Sequence, residues 1–65
     1  SPRGEKKFIL TLKQPKTVEE ILADIGYDEI SIRMIMPAVN QKSVEKDYKP
    51  ADGDTLYLFL PVGGG

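Results

Sequence analysis

Two periodicities divide the chain. In residues 6–12 apolar and polar positions alternate, with Phe8, Leu10 and Leu12 on one face and Lys7, Ile9 and Thr11 on the other, which predicts a strand. Gln14-Pro15-Lys16 breaks that pattern, and the period then changes. Val18, Ile21, Leu22 and Ile25 recur at i, i+3, i+4 and i+7, the spacing of one helical stripe. Thr17 with Glu20 three residues on matches a capping box at the helix start, and Gly26 is placed to end the helix with a left-handed residue.

Alternation returns over residues 30–36. Ile30, Ile32, Met34 and Met36 share one face, Ser31, Arg33 and Ile35 the other, and Pro37 is expected to limit the ladder. The methionines read as adaptable core filler. Residues 38–44 are expected to hold a turn around Asn40 and a short edge strand at 42–44. Residues 47–54, with Pro50 and Asp52-Gly53-Asp54, read as a loop or helical turn closing in a tight turn. The last strand spans 55–60, with Leu56, Leu58 and Leu60 on one face and Tyr57 and Phe59 on the other.

This order of elements predicts an α+β fold, one helix laid on one face of a mixed sheet. The far face would then carry Ile9, Ile35, Tyr57 and Phe59 beside Arg33, an aromatic and aliphatic set of the kind enriched at protein interfaces.

Composition narrows the chemistry. The 65 residues include no Cys and no His, so there is no thiol nucleophile, imidazole base or ordinary zinc ligand set. No metal is expected. Asp52 and Asp54 alone fall short of a cation-binding loop and read as turn chemistry. Net charge is −1, with the cations spread along the chain, which argues against nucleic acid. No apolar run approaches membrane-spanning length, and a cytoplasmic location is the default expectation.

The chain closes on Leu60-Pro61-Val62-Gly63-Gly64-Gly65. Pro61 lacks an amide donor and tends to end ladder pairing, while the glycines leave a carboxylate on an arm free of side chains that can enter a narrow slot. Residues 1–62 are expected to form the domain and 63–65 a flexible tail. Two uses of such a tail remain open on these grounds: an inert linker on an interaction module, or a chemical handle.

Taken in order, Thr17-Val18-Glu19-Glu20-Ile21-Leu22, Ala38-Val39-Asn40, Asp52-Gly53-Asp54 and Pro61-Val62-Gly63-Gly64-Gly65 resemble the ubiquitin-like β-grasp sulfur carriers, namely the molybdopterin synthase small subunit and the thiamine-biosynthesis sulfur carrier protein. Phe59-Leu60-Pro61-Val62 looks more like the former, and the closing glycines also look like the latter. Asn40-Gln41 stands where the family often carries Asn-Gly. The family normally opens with two strands before its helix, whereas here only residues 6–12 precede it. The family's first strand is therefore expected to be absent from this chain, with its place filled by another chain, by residues 6–12 moving over, or not at all.

The resemblance implies that Gly65 is the reacting residue. An ATP-using activating enzyme would convert its carboxylate to an acyl-adenylate, and sulfur transfer would leave a thiocarboxylate for a sulfur-accepting synthase subunit. Tyr57, Phe59, Pro61, Val62, Gly63, Gly64, Arg33 and Ile35 would meet those partners. The chain would bind no cofactor itself, and would be a carried reagent rather than an enzyme. If that first strand is missing, strand exchange or self-association through an open sheet edge is a further expectation. A ubiquitin-like protein modifier would share the tail and the adenylate but end in an isopeptide bond.

Overall fold

A computed structural model describes residues 6–60. The elements run β1 (Lys6–Ile9), α1 (Val18–Ile25), α2 (Glu29–Met34), β2 (Met36–Val39), β3 (Lys42–Ser43) and β4 (Thr55–Phe59). The strands form one sheet in the order β1-β4-β2-β3, with β4 hydrogen-bonded on both sides. The α+β arrangement of a β-grasp is present, but every neighbouring pair is antiparallel, so the sheet is not mixed. The reason is that β1 lies directly beside β4 and runs against it, pairing Lys6 with Leu58 and Ile9 with Thr55. Residues 6–12 thus take the place next to the C-terminal strand.

Helix α1 begins where its sequence says. Glu20 N–H donates to Thr17 Oγ1 (3.1 Å) and Thr17 N–H to Glu20 Oε1 (2.8 Å), closing the capping box. The two remaining donors of the first turn are met from far along the chain: Val18 N–H donates to Tyr48 C=O (2.8 Å) and Glu19 N–H to Lys46 C=O (2.9 Å). No first-turn amide is left without an acceptor. Gly26, at φ 124°, ends the helix and donates to Leu22 and Ala23 carbonyls.

The segment after α1 departs from expectation. Residues 30–36 do not form a strand. Asp28 caps a second helix, its carboxylate accepting Ser31 N–H at 2.7 Å, and α2 runs to Met34. Lys46 Nζ donates to Arg33 C=O at its C-terminal end (3.2 Å). Ile35 then turns extended (φ −68°, ψ 136°) and sinks into the core, 1 % exposed. Met34 and Met36 are exposed rather than core filler, because helical spacing and the turn at Ile35 aim them outward.

Pro37 sits inside β2 instead of ending it. Its carbonyl accepts from Val44 N–H (3.2 Å), on the β3 side, so its missing N–H faces the place where β3 has already stopped. No bond to β4 is lost. Asn40 and Gln41, at φ 50° and 75°, form the two-residue hairpin turn between β2 and β3. Edge strand β3 is correspondingly short, ending at Ser43.

The core lies between the sheet's inner face and α1. Val18, Leu22, Leu56 and Leu58 are fully buried, each contributing about 1.5–3 kcal/mol by removal from water. Ile32 and Ile35 bring the α2 segment onto the same side. The opposite face of the sheet carries neither helix.

Ile35→Ala is expected to destabilise the protein by about 2–5 kcal/mol. Met36→Ala should change stability by less than about 0.5 kcal/mol. Urea denaturation of both variants checks the assignment, and a reversed order would restore the strand reading of residues 30–36.

Candidate functional site

On β4 the alternation is strict. Leu56 and Leu58 point inward, while Tyr57 and Phe59 point to the bare face, Phe59 at 38 % exposure and Tyr57 half-buried. Register brings their neighbours into place: Tyr57 lies between Lys7 of β1 and Ala38 of β2, Phe59 opposite Met36, and Ile9 opposite Thr55. The result is an apolar surface of Ile9, Met36, Tyr57 and Phe59 with small Ala38 at its floor. A shallow hollow there is lined by Ala38, Gln41, Ser43, Tyr57 and Phe59.

Three of the residues expected on this face, Ile9, Tyr57 and Phe59, are there. Ile35 is not, because it is the residue that leaves α2 and enters the core. Arg33 is not on the sheet either; it belongs to α2. Met36, 60 % exposed, takes the position instead. Counting back from the hairpin would have found it: with Asn40-Gln41 as the turn and Val39 inward, Ala38 and Met36 must face out. Pro61, Val62, Gly63, Gly64 and Gly65 lie outside the described residues, separated from the end of β4 by Leu60 alone.

The start of β4 is fixed by a compact polar lattice. Asp54 N–H donates to Ala51 C=O (3.0 Å) across a four-residue turn in which Gly53 has φ 88°. Gly53 N–H donates to Leu10 C=O and Leu10 N–H to Asp54 C=O, both 2.9 Å. Two residues of one strand therefore oppose one of the other, a bulge with glycine at its first position. Asn40 ties in β2, donating from Nδ2 to Asp54 Oδ1 and accepting Thr55 N–H at Oδ1, each 3.0 Å.

Both turn carboxylates are engaged. Asp52 accepts Leu12 N–H (2.7 Å), and Asp54 accepts Ala51 N–H (2.8 Å) as well as Asn40. These are the contacts of turn chemistry. Among the described residues no group of three or more His, Cys, Asp or Glu is placed to hold a metal ion. Also among them, no helix is long and apolar enough to cross a membrane.

The Ala51 amide, and after it the Asn40 amide, hold the Asp54 carboxyl below its ordinary value. A depressed folded-state pKa contributes stability that is present above the unfolded value, about 3.9, and is lost as pH falls through the folded one.

Set against known proteins, the chain matches the model of the ThiS family over residues 3–65. No curated protein and no solved structure matches it.

Asp54→Asn is expected to be less stable than the parent at neutral pH, with the gap narrowing as pH falls below about 4. Urea midpoints measured across pH check this. A gap independent of pH would mean that the carboxylate charge does not fasten the turn.

Proposed function

Because the chain belongs to the ThiS family of ubiquitin-like sulfur carriers, we propose that Gly65 is the group that carries the sulfur. Members of that family are small carriers rather than enzymes, working in general with an activating enzyme and a sulfur-accepting synthase. The observation that carries the reading is a family match running through Gly63-Gly64-Gly65, joined to an apolar sheet face on the strand leading to those residues.

A carboxylate resists nucleophilic attack because its charge is delocalised. In this reading the partner enzyme lets the Gly65 carboxylate attack the α-phosphorus of ATP, releasing pyrophosphate and forming an acyl-adenylate. Sulfide delivered by a donor then adds to the carbonyl carbon, AMP leaves with the electron pair of the C–O bond, and the S–H proton is lost to solvent. The thiocarboxylate so formed keeps its negative charge but presents a soft, nucleophilic sulfur. Residues 63–65 serve as a tail whose missing side chains let partner backbone close around it. ATP is used by the partner, and the chain itself holds no cofactor.

Tyr57 and Phe59, with Pro61 and Val62 beyond them, provide the grip for successive partners. Ordering the tail costs about 1–2 kcal/mol per residue, and burial of the aromatic face offsets it. We take molybdopterin as the end product, on the likeness of Phe59-Leu60-Pro61-Val62 to the molybdopterin synthase small subunit, and the cytoplasm as the place of action. A thiamine-type carrier is the second reading, favoured by the closing glycines.

Incubation with an activating enzyme of the family, ATP and a sulfur donor is expected to exchange one oxygen for sulfur on the intact mass. Conjugates of higher mass would identify a protein modifier, and an unchanged mass would identify an inert tail. Pairing the product with molybdopterin or thiazole synthase subunits then separates the two pathways.

Phe59→Ala is expected to raise the Kd for the activating enzyme about tenfold while leaving the fold intact, since the side chain is already partly in solvent. Titration calorimetry beside thermal unfolding measures both, and an unchanged Kd would remove Phe59 from the contact.

A further inference from the structure

The turn between β2 and β3 carries two consecutive residues at positive φ, Asn40 at 50° and Gln41 at 75°. In such a turn the second position strongly favours glycine, because a Cβ there crowds the backbone. Asparagine tolerates the left-handed region, and from it Asn40 donates to Asp54 Oδ1 and accepts Thr55 N–H. Neither bond uses Gln41. A glutamine thus occupies a position where glycine would fold more favourably, although fastening the turn to β4 does not require it. Gln41 lines the hollow whose floor is Ala38, together with Ser43, Tyr57 and Phe59. Register explains the grouping: Ser43 and Tyr57 pair with Ala38 from its two sides, so the three form one row across the outward surface. The lining residues are all uncharged.

We propose that Gln41 is a specificity-determining contact of this face: its amide pairs with a peptide group of the activating enzyme, in an uncharged segment that seats an apolar side chain over the small Ala38, beside Tyr57 and Phe59. A primary amide both donates and accepts, which matches the two groups of a peptide unit. A charged segment would give up its hydration without meeting a counter-ion in the hollow. The strained backbone at Gln41 is then explained by what the side chain does beside a binding surface. This assignment rests on the reading of the outer face as the grip for that enzyme, and adds the polar residue that discriminates among apolar partners.

Titration calorimetry of the full chain against an activating enzyme of the family, beside thermal unfolding, tests this with two substitutions. Gln41→Gly relieves the backbone and removes the amide, whereas Gln41→Ala removes the amide and keeps the strained backbone. Both are expected to raise Kd about fivefold, as for the loss of one hydrogen bond. Gln41→Gly should also raise the melting midpoint by about 4 °C, and Gln41→Ala should leave it near the parent value. Parent-like binding by either variant would overturn the proposal. So would a midpoint that Gln41→Gly does not raise, since the turn would then be unstrained. Phe59→Ala in the same titration separates this assignment from the reading beneath it. A raised Kd for Phe59→Ala alone removes Gln41 and keeps the face, and an unchanged Kd in all three variants removes both. A raised Kd in the Gln41 variants alone detaches the turn from the aromatic hollow, and overturns the proposal as well.

Discussion

Everything in this domain is referred to β4, the strand bonded on both sides, because its side chains are committed alternately to two incompatible environments. Leu56 and Leu58 complete the core, and Tyr57 and Phe59 face away from it. A slip of one residue would expose both leucines and bury an aromatic pair against α1, so the register admits no compromise. The bulge at Gly53 and Asp54 and the amide of Asn40 hold that register from the two neighbouring strands at once.

What could be read from the sequence was what local chemistry decides. Thr17 and Glu20 specify the start of α1 through bonds confined to four consecutive residues, and Gly26 specifies its end. The inward and outward faces of β4 followed from simple alternation. The stretch around Arg33 and Ile35 was not legible in the same way, since Ile30, Ile32, Met34 and Met36 alternate as a strand would. The competing signal was Asp28, whose carboxylate caps the amide of Ser31 and commits the chain to a helical turn. Pro37 misled for a related reason: whether a proline breaks a ladder depends on which neighbour its nitrogen faces, and that is a tertiary fact. The misplacement of Ile35 on the outer face, where Met36 belongs, follows from these two readings together.

The outer face of the sheet is built from few residues. On the helical side Val18, Ile21 and Leu22 of α1 are drawn into the core, while Ile25, Ile30 and Met34 stay exposed. Ile9, Met36, Tyr57 and Phe59 come from three different strands, so the patch exists only when the sheet is assembled. A partner that reads this face therefore reads the folded state.

The first turn of α1 draws its last two acceptors from Lys46 and Tyr48, which are synthesised well after the helix itself. Until that later loop arrives, the helix has its cap but two bare amides, and little else to hold an eight-residue segment in water. A complete first turn of α1 thus requires closure of a long loop, which ties the helix to the later part of the chain.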